Sequence, residues 1–173
     1  METIIVSVVS MALIIISTLV VTVSTFQSAN KMADAWKSME EHSSIVRQTI
    51  IRITTPNSYN GGLFDLTVRN EGNANLNDFP RWDAIIQRQS GNASYLVYSE
   101  IYPPGPGEWT VDDILITEGT SEVFDLNILN PGEQMTVSIN PSQELGFGET
   151  ARIIFSTPNG VTAQGYITRA EES

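Results

Sequence analysis

The chain has no cysteine and a single histidine, His42, among its 173 residues. Without cysteine there are no disulfides, thiolate metal ligands or cysteine nucleophiles. One histidine excludes or strains most catalytic triads and transition-metal sites. No phosphate-binding or dinucleotide-binding glycine fingerprint is present. We therefore expect neither an enzyme nor a bound cofactor.

Basic residues are also scarce. Nine Lys and Arg stand against twenty Asp and Glu, which gives a net charge of −11. Nucleic-acid binding needs a basic surface that neutralises phosphates, so we expect no nucleic-acid partner. From Ser90 to Thr150 there are ten acidic residues and no Lys or Arg. Such a stretch is typical of a solvated face, or of an outer surface that repels other surfaces of like charge.

Glycine and proline are missing from residues 1–55, because the first proline is Pro56 and the first glycine is Gly61. The apolar run Ile4–Val23 would span roughly 30 Å as a helix, which matches the hydrocarbon core of a bilayer. Beyond the run, apolar residues recur every three or four positions. The pattern predicts one helix from about Glu2 to about Arg47, roughly 70 Å long. This length exceeds a single membrane crossing.

Small hydroxyl residues mark one face of the predicted helix. Steps of four and three place the following residues on that face: Thr3, Ser7, Ser10, Ile14, Ser17, Val21 and Ser24. Small residues let helices approach closely in an apolar medium, although Ser and Thr are also simply tolerated in transmembrane helices. We predict that Ser10 and Ser17 contact neighbouring helices.

From Thr49 onward, short runs alternate apolar and polar residues between turn residues, which indicates β-strands. The runs are 51–53, 64–68, 84–89, 95–99, 111–116, 121–129, 135–139, 151–156 and 161–168. "TTPNSYNGG" predicts a turn after the first run, and "TPNG" predicts a tight hairpin between the last two. About nine strands predict an antiparallel immunoglobulin-like β-sandwich. The fold class is thus α+β, with a long N-terminal hydrophobic α-helix in residues 1–47 and a sandwich head in residues 48–173.

Two surface motifs are candidate sites. The segment "NANLND" holds Asn73, Asn75, Asn77 and Asp78, and alternating oxygen donors can cradle Ca²⁺. Turns rich in Asn and Asp are commoner without metal, so these four are weak candidates only. Asn92 begins an Asn-Ala-Ser sequon, which is a glycosylation acceptor only if the head lies outside the cell.

Three head segments follow the predicted helix in this order: "LFDLTVRNEGNANLNDF", "ILNPGEQMTVSI" and "RIIFSTPNGVTAQGYI". This order of helix and head motifs resembles the type IV pilin-like filament superfamily, in particular its archaellins, or archaeal flagellins, and their archaellum-associated relatives. The segment "LFDLTVRNEGNANLNDF" resembles a strand and turn that these heads share. "ILNPGEQMTVSI" resembles their Pro-Gly-Glu turn, and "RIIFSTPNGVTAQGYI" resembles their closing hairpin. Ile5 stands where bacterial type IV pilins usually carry Glu, if Met1 is the first mature residue; archaellins commonly lack that Glu.

The resemblance implies a homo-oligomer, a helical filament of identical subunits that serves cell motility at the cell surface. The precursor would be anchored in the membrane by its helix. A prepilin-type peptidase would process it, and an assembly ATPase with a membrane platform would transfer it to the filament. The expected assembly residues are Ile4, Ile5, Val8, Ser10, Leu13, Ile14, Ser17, Val21, Ser24, Phe26 and Trp36.

Two alternatives stay open. The first is an archaellum-associated stator-type protein that anchors the motor to the cell envelope, because the second and third motifs resemble these relatives at least as well. The second is a single-pass adhesin or receptor with an immunoglobulin-like ectodomain, which would lack helical self-assembly.

Overall fold

The computed structural model describes residues 2–60, 62–117 and 120–170. Two compact units make up the chain, Met1–Ser43 and Ser44–Ser173. The predicted boundary between residues 47 and 48 stays a prediction. The elements are α1 Glu2–Gln48, β1 Ile51–Asn60, β2 Leu63–Asn70, a 3₁₀ turn Phe79–Arg81, β3 Asp83–Arg88, β4 Ala93–Tyr98, β5 Glu108–Thr117, β6 Thr120–Ser121, β7 Gln134–Asn140, β8 Thr150–Ser156 and β9 Thr162–Thr168.

The helix α1 ends within one residue of the predicted limit. Its hydroxyl side chains bond to the carbonyl oxygens of their own preceding turn. Ser17 Oγ donates to Leu13 O at 2.7 Å, and Thr22 and Thr25 donate to Thr18 and Val21, each at 2.8 Å. Such back-bonding satisfies a hydroxyl that has no water around it. The apolar half of α1 is therefore compatible with an apolar environment.

The head is the predicted β-sandwich, with a core formed by inward-facing residues of its strands. The strand order is β1-β2-β7-β5-β4-β3-β8-β9, and β6 pairs with β5. Every pairing between strands is antiparallel except that of β4 with β5, which is parallel over Val97–Glu108 and Tyr98–Trp109. The head is thus mostly, and not wholly, antiparallel.

The two ends of this strand order meet, which closes the sheet into a sandwich with a barrel-like outline. A Cβ at Gly165 in β9 would lie 2.7 Å from Cγ2 of Ile53 in β1, so only glycine allows this approach. Between the layers, the Trp109 ring of β5 packs edge-on against Phe155 of β8, with centroids 5.0 Å apart. The resulting core needs no disulfide.

Two predicted local structures were wrong. "TTPNSYNGG" is not one long turn, because β1 continues to Asn60 and turns only near Gly62. The ladder shifts register between Thr54 and Ser58, which accommodates Pro56, a residue without an N–H to donate.

The predicted strand 121–129 was the other error, because β6 ends at Ser121. The Glu122 carboxylate takes the N–H groups of Val123 and Phe124, which a continuing ladder would have used. After β6, the next pairing in the chain is an isolated bridge between Leu129 and Leu76.

Candidate assembly surface

The apolar half of α1 is an uncovered hydrophobic surface. Fourteen large apolar side chains between Ile4 and Val23 are exposed in the single chain. Leaving them in water costs on the order of 20–40 kcal/mol, at about 1.5–3 kcal/mol for each side chain. That exceeds the roughly 5–15 kcal/mol that stabilises a folded domain. The segment therefore needs a lipid or protein covering.

All eleven predicted assembly residues lie on this helix and are exposed. Ser17 lies in a shallow apolar groove with Leu13, Ile14, Thr18 and Val21. Within the described residues, α1 is the single helix long and apolar enough to cross a membrane. Whether these residues contact neighbouring helices stays a prediction.

The amphipathic part of α1, residues 26–43, is called the stalk below. Phe26, Met32, Trp36 and Met39 are exposed along it. Ala29 and Ala33 leave a groove on its surface, which Met32, Trp36, Lys37 and Glu40 also line. An exposed Trp beside two alanines is an unusual surface in water, and it makes the stalk a second candidate contact region.

The C-terminal end of α1 is capped by a loop of the head, which was not predicted from the sequence. The Gln48 carbonyl oxygen accepts hydrogen bonds from the N–H groups of Asn73 at 2.7 Å and Ala74 at 3.2 Å. The N–H of Glu71 donates to Ile50 O at 2.8 Å. These bonds satisfy carbonyl groups that a helix end leaves free. The "NEGNA" part of the first family-like motif is therefore a helix cap.

Two asparagines hold this cap together. Asn70 Nδ2 donates to the carbonyl oxygens of Ala74 at 2.8 Å and Leu129 at 3.0 Å, while its Oδ1 accepts from the N–H of Gly72 at 3.0 Å. Asn159, in the "TPNG" hairpin, donates to Thr49 Oγ1 at 2.7 Å. The only signal for these roles in the sequence was the recurrence of Asn one or two residues before Gly in turns.

Of the four weak metal candidates, Asp78 is engaged through its side chain, while Asn73 and Asn77 are engaged through main-chain atoms. Trp82 Nε1 donates to Asn77 O at 3.0 Å, and Asp78 forms an ion pair with Arg81 at 3.3 Å. The N–H of Asn73 donates to Gln48 O in the helix cap. The side chains of Asn73 and Asn75 are exposed. In the part of the chain that the structure describes, no three His, Asp or Glu side chains could hold a metal together. The three asparagines are not among these residue types, so metal binding at this loop stays untested.

Asn92 is exposed in the turn between β3 and β4. Its carbonyl oxygen accepts from the N–H of Arg88 at 2.9 Å, so the backbone is held while the side chain stays accessible. Glycosylation of Asn92 remains a prediction.

Part of the acidic stretch has a structural use. Three of its Glu carboxylates accept a hydrogen bond from the N–H three residues earlier, across a turn that contains a glycine with φ between 71 and 86°. The pairs are Glu108 with Gly105 at 2.8 Å, Glu133 with Asn130 at 2.7 Å and Glu149 with Gly146 at 2.8 Å. A positive φ at this turn position favours glycine. These three carboxylates stabilise turns, so their role is not limited to charge repulsion at the surface. Glu118 of the same stretch lies outside the described residues.

Two further acids share one hydroxyl. Ser138 Oγ lies 2.5 Å from Asp65 Oδ1 and 2.5 Å from Asp112 Oδ2. Burial raises the pKa of Asp112, the Ser138 hydrogen bond lowers it, and the charges of Asp65 and Asp113 raise it. The neighbouring residue Asp113 has a different partner. The register of β5 against β7 shifts between Val111 and Asp113. Ser121 Oγ donates a hydrogen bond to Asp113 Oδ2 at 2.5 Å.

No protein-family model matches the sequence, and no curated protein matches it. Solved structures of archaellum proteins share its fold. The archaeal flagellum of Methanospirillum hungatei strain JF1 is 15% identical, with a TM-score of 0.58, over 95% of this chain and 94% of that one. The archaellum periplasmic stator protein FlaG from Sulfolobus acidocaldarius is 19% identical, with a TM-score of 0.53, over 69% and 99%.

A third solved structure, archaeal flagellin FlaB1 from Methanocaldococcus jannaschii, is 11% identical with a TM-score of 0.53, over 72% of this chain and 93% of that one. The chain has the archaellin-like fold. The resemblance that the sequence motifs carry is thereby confirmed as a likeness of fold to archaellum proteins.

Proposed function

We propose that this chain is a structural component of an archaellum, and specifically a filament subunit that assembles through α1 and serves cell motility. The observation that carries the proposal is the uncovered apolar surface of α1, joined to a sandwich head. The likeness to the Methanospirillum hungatei flagellum extends over helix and head alike, at 95% of this chain. The role is mechanical, with no catalytic step.

In this proposal, α1 first lies in the membrane and then packs with copies of itself at the filament axis. Against lipid, assembly gains only packing and hydrogen bonding, because lipid tails are as apolar as the side chains. Transfer therefore needs an assembly ATPase and platform, after a prepilin-type peptidase has processed the precursor. The assembled subunit lies outside the cell. The groove around Ser17 is the place where a neighbouring helix would pack.

The second candidate is a stator-type protein that anchors the motor to the envelope. It is favoured by the likeness to FlaG of Sulfolobus acidocaldarius, which covers 99% of that chain at 19% identity. In this role α1 would stay in the membrane, and the head would contact the envelope instead of other heads.

Abundance in sheared surface material separates the two roles. Cells are sheared, the filaments are imaged by electron microscopy, and their subunits are identified by mass spectrometry. As a filament subunit, the chain dominates this fraction. Recovery of filaments without this chain, while the chain remains with the membranes, would favour the stator role.

A further inference from the structure

The loop of residues 122–129, called here the Phe124 loop, presents large apolar side chains to solvent. Val123 is 72% exposed, Phe124 is 91% exposed and Leu126 is 62% exposed. Single exposed apolar residues are ordinary on a protein surface, whereas three together on one loop indicate a contact surface. Unlike the exposed residues of α1, these belong to the head, so a core of helices does not cover them.

The backbone of the Phe124 loop is held in place before any partner binds. The Glu122 carboxylate accepts from the N–H groups of Val123 at 2.8 Å and Phe124 at 2.7 Å. Ile128 donates its N–H to Asp125 O at 2.9 Å. Leu129 is buried and bridges to Leu76. A partner that docks here has little loop entropy left to remove.

We propose that the Phe124 loop of one copy docks on the stalk of a neighbouring copy, over the groove at Ala29, Met32, Ala33 and Trp36. The inference rests on the proposed assembly of identical subunits. In such a polymer each head meets a different part of its neighbour, in a heterologous contact that repeats along the structure. The stalk carries four large apolar side chains that the single chain leaves exposed, Phe26, Met32, Trp36 and Met39, and its groove is lined mostly by apolar residues.

Each of the two surfaces offers one charge of opposite sign to the other. Asp125 is exposed between Phe124 and Leu126. Lys31 and Lys37 are the only two lysines of the chain, both lie on the stalk, and Lys37 lines the groove itself. The head segment 90–150 carries no positive charge at all. The stalk also carries Asp34, Glu40 and Glu41, and Lys37 lies 3.9 Å from Glu41, so the attraction in this contact is local, between Asp125 and Lys37.

The size of the contact also fits a repeated one. One Phe removes about 150–250 Å² from water, whereas a contact that holds a dimer by itself buries roughly 1,200–2,000 Å² in total. The Phe124 loop is therefore a secondary contact between copies that are already joined through α1. It would not dimerise heads alone.

The absence of cysteine in the natural sequence makes thiol cross-linking a direct test. The full chain carrying Leu126→Cys and Met32→Cys is produced in its own cells, and the assembled material is treated with a short bis-maleimide. Because the contact is heterologous, we expect a ladder of dimers, trimers and longer multimers after denaturation. The matched control carries Val97→Cys, another exposed apolar residue of the head, with Met32→Cys, and should give no ladder.

Three results would overturn the inference. One is an absence of the ladder in material that electron microscopy shows to be assembled. Another is dimers from Leu126→Cys alone, which mean that heads meet heads. The last is an equal ladder from the Val97→Cys control, which means nonspecific proximity. Failure of the unmodified chain to form filaments in its own cells, where the assembly ATPase and platform are present, contradicts the proposed function instead.

Charge reversal gives an independent readout of the same contact. Asp125→Lys in the cross-linking background should lower the yield of the ladder by about two- to fivefold, the range of an exposed ion pair. Adding Lys37→Glu should restore the yield. If both variants reduce the ladder without restoration, Asp125 does not face Lys37 and the proposed register is wrong.

Discussion

A Cβ atom on residue 72 would lie 2.2 Å from the carbonyl oxygen of Gln48. Gly72 is therefore the point at which the cap loop touches the last turn of α1. The same carbonyl oxygen accepts the N–H groups of Asn73 and Ala74. A side chain at residue 72 would displace the loop and break both hydrogen bonds, so the "NEG" turn is fixed by contact with the helix.

We expect Gly72→Ala to lower the free energy of unfolding of the head by about 2–4 kcal/mol, through overpacking and the loss of the cap bonds. The matched control is Gly91→Ala, where no atom lies within 4 Å but φ is +89°. That variant should lose only about 1–2 kcal/mol, from backbone strain. Urea unfolding followed by the fluorescence of the buried Trp82 and Trp109 measures both. Equal losses would mean that the cap is not important for stability.

The helix end should also complete the fold of the head. A fragment of residues 44–173 keeps Gln48 and Thr49, whereas a fragment of residues 50–173 removes the acceptors of Asn73, Ala74 and Asn159. We expect the longer fragment to fold as a monomeric β-protein. The shorter one should be less stable by about 2–4 kcal/mol, at about 1 kcal/mol for each lost hydrogen bond plus the loss of the buried Thr49. Identical denaturant midpoints would contradict this role of the helix end.

Much of this architecture could be predicted from the sequence, because it follows from periodicity. The absence of glycine and proline predicted α1 to within one residue, and period-two alternation predicted most strands. The two errors arose where side chains compete with the ladder. Glu122 captures the N–H groups that would have extended β6, and a bulge carries β1 past Pro56. Such events depend on single hydrogen bonds, which the alternation of apolar and polar residues does not reveal.

The helix cap was beyond prediction for a different reason. Its partners are distant in sequence: Asn159 reaches Thr49 across 110 residues, and Asn70 reaches Leu129 across 59. Only the fold brings them together. The candidate contact residues of α1 were predictable because their exposure depends on the helix alone. What covers them depends on other copies of the chain.

Asp112 should give the head a measurable dependence on pH. Burial raises the pKa of Asp112 above its ordinary 3.8, and Asp65 and Asp113 raise it further. An acid with a raised folded pKa favours folding when it is protonated, so this contribution declines as pH rises from about 3.8 through the raised pKa. We expect Asp112→Asn to increase the thermal midpoint at pH 7 and to leave it nearly unchanged at pH 3. A decrease at pH 7 would contradict this.

Glu122→Gln should have the opposite effect on stability at pH 7. Hydrogen bonds from the N–H groups of Phe124, Val123 and Asp125 lower the pKa of Glu122 below its ordinary 4.5. Its contribution to stability is present above pH 4.5 and is lost as pH falls through the lowered pKa. The substitution should therefore lower the midpoint at pH 7, with a difference that disappears in acid. Thermal scans between pH 2 and 8 separate the two behaviours.

The groove around Ser17 predicts a size limit for helix packing. The groove is lined by Ser17 together with Leu13, Ile14 and Val21, and the larger side chain of Ser17→Leu would fill it. Neighbouring helices should then be held apart, which reduces the yield of assembled material several-fold. Ser17→Ala keeps the groove open and removes only the bond to Leu13 O, so assembly should be close to normal. Yield is measured by sedimentation and electron microscopy. Normal assembly of the Leu variant would remove the close-packing hypothesis.

The arrangement of charge predicts which carboxylates assembly protects. The apolar run Ile4–Val23 cannot face water, and acidic charges cost heavily when buried without partners, so helices should lie inside and heads outside. Asp34 and Glu40 on the stalk are exposed in the single chain, as are Glu100 and Glu144 on the head. Carbodiimide labelling of assembled material should lose the stalk pair and keep the head pair, whereas detergent-dispersed chains should label all four. The dispersed sample also controls for intrinsic reactivity. Protection of Glu100 and Glu144 with continued labelling of Asp34 and Glu40 would place the heads inside, and the assignment of α1 to the axis would then be wrong.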